Sequence, residues 1–155
     1  MHVNLIGRLD AQSELSRVCE SPRPEFVVVS GRRRVGKTYL VREYFGGSFA
    51  FYTSGVAGGN MRAQLKSFNR SLGKHGSTGP EARDWWEAFD RLEALLSLET
   101  VTRDEASGKR VVFIDEMPWL DSPRSEFLSA LELFWNTWGS AQPDLLLIAC
   151  GSASS

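Results

Sequence analysis

The stretch Gly31-Arg-Arg-Arg-Val-Gly36-Lys37-Thr38 has the residue types and spacing of a phosphate cradle. Glycine at both ends lets the backbone curl so that its N–H groups point at anionic oxygens. An apolar run, Phe26 to Val29, precedes the stretch, and Tyr39 to Phe45 follows with helical character. That is the strand–loop–helix context the P-loop pattern G-x-x-x-x-G-K-[ST] requires. The helix start adds free N–H groups and the positive end of its dipole. Lys37 is placed to reach β- and γ-phosphates, and the Thr38 hydroxyl to ligate Mg²⁺. Arg32, Arg33 and Arg34 add positive field; taken singly, each reads as a solvated side chain.

A second acidic element matches the first. Val111 to Ile114 are apolar and run out into Asp115 and Glu116. An acid there holds Mg²⁺, directly or through water, which fits Asp115. The adjacent Glu116 fits a carboxylate that polarises a water for in-line attack. A kinase needs no water activator, so this pair points to hydrolysis. Ser152, just after the apolar run Leu145 to Cys150, is placed to hydrogen-bond the γ-phosphate or the water. The catalytic candidates are therefore Lys37, Glu116 and Ser152, and the metal candidates Thr38 and Asp115.

These residues need a sheet to hold them. Three apolar runs read as buried strands: Phe26 to Ser30, Arg110 to Glu116 and Leu145 to Cys150. Ser48 to Thr53 reads as a further short strand. Helices are predicted over Asp10 to Cys19 (with Asp10 or Ser13 as the cap), Tyr39 to Phe45 (stopped by Gly46-Gly47) and Met61 to Leu72. Glu81 to Leu98 is a further predicted helix, with Trp85, Phe89, Leu92 and Leu96 on one face, widened by Trp86 and Leu95. The last spans Ser122 to about Trp138, with Ser122 as cap and Pro123 at its first position. Residues 3 to 8 read as an apolar lead-in, and 73 to 80 as a surface loop. Strands alternating with helices predict an α/β domain with a mainly parallel sheet, which binds ligands at the carboxyl ends of its strands.

Composition narrows the class. With 155 residues, one domain over 1–155 is expected. A net charge of −1 gives no bulk argument for nucleic acid or membrane. No apolar run approaches a membrane span, and no signal-peptide layout opens the chain. Cys19 and Cys150 lack metal spacing and read as core thiols of a cytoplasmic protein. His2 and His75 are isolated and read as surface positions.

Four strings together, Ile6-Gly7-Arg8, Gly31 to Thr38, Phe113-Ile-Asp-Glu-Met-Pro-Trp-Leu120 and Leu147-Ile-Ala-Cys-Gly-Ser152, resemble prokaryotic AAA-plus-type, archaeal-type ATPases close to the STAND signalling NTPases. The resemblance runs along essentially the whole chain. It implies a three-layer αβα P-loop NTPase that binds ATP or ADP with Mg²⁺ and hydrolyses ATP. It places Ile6, Gly7 and Arg8 near the adenine and a sensor group at Ser152. The expected nucleotide contacts are then Ile6, Gly7, Arg8, Gly31, Val35, Gly36, Lys37, Thr38 and Tyr39. In such proteins the strand ending at Cys150 lies between the P-loop strand and the Asp115 strand. Relatives continue past this point with a fifth core strand, an arginine-bearing segment and a helical lid, so the chain is expected to be the first part of such an ATPase. A homo-oligomer, and a DNA or protein client engaged through further C-terminal domains, belong to the same expectation. The rival reading is a nucleotide-operated switch with little turnover, and a third is a weakly binding remnant.

Overall fold

The structure is a computed structural model, and it describes residues 4–6, 11–29, 36–121 and 125–151. Among these, five strands form one fully parallel sheet: β1 (Asn4–Ile6), β2 (Glu25–Val29), β3 (Phe51–Ser54), β4 (Arg110–Asp115) and β5 (Leu145–Cys150). Their spatial order is β1-β2-β5-β4-β3, so the strand ending at Cys150 does lie between β2 and β4. The segment read as a lead-in supplies β1, three residues pairing Ile6 with Val29. So short a strand leaves little periodic signal.

Period-two alternation divides the sheet between two cores. Phe51, Val112, Ile114, Leu145, Leu147 and Ala149 face one side. There they meet α3 (Met61–Lys74), α4 (Trp85–Leu96), the short α5 (Met117–Leu120) and α6 (Phe127–Thr137). Val27, Val29, Val111, Phe113, Leu146 and Ile148 face the other, against α1 (Ala11–Glu20) and α2 (Lys37–Phe45). Both faces of β4 and β5 are therefore covered, and both strands are buried throughout. That is why they read as continuous apolar runs. The result is a three-layer αβα domain.

Several boundaries differ from expectation for local reasons. The helix expected from Glu81 starts at Trp85, because the Asp84 side chain accepts the Glu87 N–H at 2.8 Å and caps it there. Trp86 does not widen the buried face; it is exposed, and its Nε1 donates to Glu126. α6 starts at Phe127, whose N–H donates to Ser125 Oγ, while Ser122 and Pro123 lie outside the described residues. Asp10 also lies outside them. α3 runs two residues further than read, to Lys74, so Gly73 is helical. The Gly46-Gly47 stop stands, with Gly46 at φ 59°. β3 begins at Phe51 because Phe49 N–H is turned back onto Gly47 O.

The amino-terminal edge of the sheet is pinned by ionic contacts. The buried Arg110 guanidinium donates to Asp144 Oδ1 at 2.5 Å, to Gln142 Oε1 at 3.0 Å and to Leu96 O at 2.8 Å. Arg103 pairs with the same carboxylate. Burial works against the Asp144 charge, but the hydrogen bonds from Arg110 and Arg103 overcome it and hold the carboxyl down to about 2.

His75 is not a surface position. It is half-buried, and its Nε2 accepts the Tyr52 N–H at 3.1 Å on the edge strand β3. An unpaired edge amide is a liability, and the imidazole satisfies it. Burial, and then the Lys74 ammonium, lower the His75 pKa below its ordinary value. The unfolded chain therefore binds the proton more readily. The stabilising contribution is complete above the ordinary histidine pKa of about 6.5 and is lost as pH falls through the lower folded value. Thermal melts of wild type and His75→Gln from about pH 7.5 to 5 should show a steeper decline for wild type. Parallel curves for the two proteins would refute the assignment.

Candidate functional site

The carboxyl ends of β2, β4 and β5 meet the start of α2. Gly36 occupies the residue before that helix at φ 70°, a left-handed conformation that a side chain would strain. The turn delivers Lys37 and Thr38 into the first helical turn. Lys37 is buried, and its Nζ donates to the Gly151 carbonyl at 2.7 Å, just past the end of β5. Thr38 Oγ1 donates to Asp115 Oδ2 at 2.6 Å, a short hydrogen bond to a charged acceptor at the end of β4. The other carboxylate oxygen, Oδ1, accepts the Glu116 N–H at 2.9 Å. Asp115 is 4% exposed, so these bonds hold it in place.

Glu116 has a backbone φ of 52°, unusual for a residue with a side chain. It turns the chain from β4 directly into α5, with Pro118 in the first turn of that helix. Two glycines make this turn possible. A Cβ on Gly55 would lie 2.3 Å from the Glu116 carbonyl oxygen and 2.9 Å from Trp119 Cβ. A Cβ on Gly151 would lie 2.4 Å from Pro118 Cδ. Gly55 N–H also donates to Asp115 O at 2.9 Å. The acidic turn is thus wedged between the ends of β3 and β5.

Of the residues singled out from sequence, Gly36, Lys37, Thr38, Asp115 and Glu116 come together at this edge. Tyr39 lies on α2 with 69% of its surface exposed. Ile6 closes β1 at the same edge, beside Val29. Gly7, Arg8, Gly31, Val35 and Ser152 lie outside the described residues, as do Arg32 to Arg34. Sequence reasoning missed the structural parts of Gly151 and Gly55. The available signal was a glycine directly after each of two strands, where close backbone approach is a standing reason for glycine.

The donor set suits a hard cation. Thr38 Oγ1 and Asp115 Oδ2 are oxygens in mutual contact at the mouth of the edge. Mg²⁺ takes one or two protein oxygens and completes its shell with water and phosphate. Among the described residues no group of three or more His, Cys, Asp or Glu side chains is gathered as a metal cage. Burial, then the Asp115 charge, push the thiol of Cys150 up to about 12, which disfavours its thiolate. Among the described residues no helix is long and apolar enough to cross a membrane.

No family model matches the chain, and no curated protein matches it. Among solved structures, a Walker-type ATPase of Pyrococcus abyssi is similar, with a TM-score of 0.52 and 19% identity over 93% of this chain. The chain spans 44% of the length of that protein. The likeness shows the fold: the chain has the α/β architecture of the P-loop NTPases.

The glycine contacts give a direct test of the geometry. Gly55→Ala must displace backbone rather than a flexible side-chain end, an overpacking that typically costs about 1–3 kcal/mol. A melting temperature lowered by several degrees is expected for Gly55→Ala, against no decrease for Gly73→Ala, a helical position where a Cβ meets nothing within 4 Å. Equal melting temperatures would show that the Glu116 turn is not packed as described.

Proposed function

We propose that residues 1–155 form the nucleotide-binding core of a P-loop ATPase, which converts ATP and water to ADP and phosphate with Mg²⁺. The observation that carries this reading is the contact of Thr38 with Asp115 at 2.6 Å beside the buried Lys37. It joins the two motifs that an NTPase of this architecture uses. The strand order β2-β5-β4 supports an AAA-plus-type arrangement, since a kinase-like one would set the Asp115 strand directly beside β2.

Each residue has a task in this reading. The first turn of α2 presents backbone N–H groups to the phosphates. Lys37 exchanges the Gly151 carbonyl for β- and γ-phosphate oxygens. Thr38 and Asp115 hold Mg²⁺, which when bound neutralises charge on those oxygens. Glu116 accepts a proton from the attacking water as the oxygen–phosphorus bond forms and the bond to the β–γ bridging oxygen breaks. Its unusual backbone conformation is an observed outlier of the sort that gathers at functional sites. Ile6, Gly7 and Arg8 at the base, Gly31, Val35, Gly36 and Tyr39 along the phosphates, and Ser152 as sensor complete the proposed contacts.

Mg-ATP should raise the melting temperature through linkage, and Lys37→Ala should abolish the rise. A folded protein that shows no calorimetric binding at millimolar nucleotide would refute the site. Glu116→Gln should leave nucleotide affinity intact while turnover drops by about 10²–10⁴-fold. Unchanged turnover in that variant would remove Glu116 from the chemistry and favour a nucleotide-operated switch.

A further inference from the structure

The helix α3 carries a feature that the ATPase reading does not use. Its sequence, Met61 to Lys74, contains four cations, Arg62, Lys66, Arg70 and Lys74, and no acid. They recur every fourth residue. From Arg62 to Lys74 the helix rises about 18 Å, and successive cations step about 40° around it. Every residue of α3 that is exposed is one of these four or Gly73. The rest of the helix is committed to packing: Leu65, Phe68 and Leu72 enter the core, and Asn69 and Gln64 are buried in hydrogen bonds to Ala82 and Val56.

Among the described residues, none of the four cations forms an ion pair or a side-chain hydrogen bond. The described ion pairs lie elsewhere, as in Arg17–Glu14 and Arg83–Glu87. Like charges at i, i+4 destabilise a helix, and α3 carries three such pairs in sequence. A surface needed only for solubility would alternate signs. The chain as a whole has a net charge of −1, so this +4 helix is a local segregation of charge, offset by acids elsewhere, such as Glu87, Asp90 and Glu93 on α4.

We propose that the outer face of α3 is a docking surface for the sugar–phosphate backbone of duplex nucleic acid. A row of cations about 18 Å long matches the axial span of about five phosphates on one strand of a B-form duplex. Single strands are held largely by stacking on exposed aromatic rings, and this face has none, since Phe68 is fully buried. Of the groups on α3 able to read base edges, the amides Gln64 and Asn69 are buried, and the exposed ones are the guanidinium groups of Arg62 and Arg70. The proposed contact is to the sugar–phosphate backbone, which offers the same charge at every base pair. Anionic membrane is the weaker fit, because no exposed apolar residue accompanies the cations to enter the acyl boundary. This inference does not depend on the proposed ATPase chemistry.

Fluorescence anisotropy with a labelled mixed-sequence DNA duplex, a duplex RNA and the single strands tests it. Four phosphate contacts predict a slope of log K on log salt of about −3.6, which is a loss of about 150-fold between 50 and 200 mM salt. Arg62→Gln/Lys66→Gln/Arg70→Gln should reduce affinity strongly and flatten the slope by about 0.9 per residue removed. The control Arg17→Gln/Arg23→Gln/Arg83→Gln loses the same charge away from α3 and should bind as wild type. The pairs Arg62→Gln/Lys66→Gln and Arg70→Gln/Lys74→Gln keep the test decisive if the triple variant folds poorly, and circular dichroism checks each. Overturning results are no duplex binding at 50 mM salt, equal losses in the two triple variants, binding to phosphatidylserine vesicles in place of duplex, or displacement of duplex by Mg-ATP. The last would place the phosphates in the P-loop.

Discussion

A buried ammonium must be held by oxygen, because an uncompensated charge in the interior costs several kcal/mol. Lys37 meets that demand at the Gly151 carbonyl, and the surrounding edge follows from it. That carbonyl sits just past β5, which pairs with β2, the strand that feeds the loop. Gly151 in turn lies against Pro118, which fixes the path of α5 and with it the turn at Glu116. Thr38, one residue along α2, then falls against Asp115. Lys37 and Thr38 thereby tie the start of α2 to the ends of β5 and β4.

The two sides of the sheet carry unequal roles. Trp85, Phe68, Phe89 and Phe127 interlock through edge-on and tilted ring contacts between α3, α4 and α6, with centroids 4.9 to 5.7 Å apart. That aromatic cluster anchors α3 firmly enough for its outer face to be surrendered entirely to charge. The opposite layer is thinner, with α1 and α2 over Val27, Val29, Val111 and Phe113.

Much of this was legible in the sequence, for identifiable reasons. The runs Val111 to Ile114 and Leu145 to Cys150 could be read as central strands because burial on both faces removes the need for polar alternation. The meeting of Lys37, Thr38, Asp115 and Glu116 followed from the strand-end rule for parallel sheets. Features set by tertiary contact were not legible. The left-handed backbone at Glu116 depends on two glycines far away in sequence. The position of His75 depends on an edge amide that nothing local announces. Trp86 had the spacing of a core residue, yet its face of α4 was left to solvent. The start of α6 fell at Phe127 through the Ser125 side chain, although Ser-Pro three residues earlier carried the stronger local signal.

The strand order also bears on how the chain comes off the ribosome. Until residues 145 to 150 emerge, β1-β2 and β3-β4 can form only as two separate ladders, each with an open edge where β5 will enter. The P-loop lysine and Asp115 belong to different halves, so neither half holds the assembled edge. The segment that joins them, Leu-Leu-Leu-Ile-Ala-Cys, is apolar throughout and uncharged, a composition prone to pair with other chains while it waits. Non-local parallel pairing is slow to form. For this molecule the hazardous interval of synthesis is the one between completion of β4 and insertion of β5, and it is there that a nascent-chain chaperone would have most to shield.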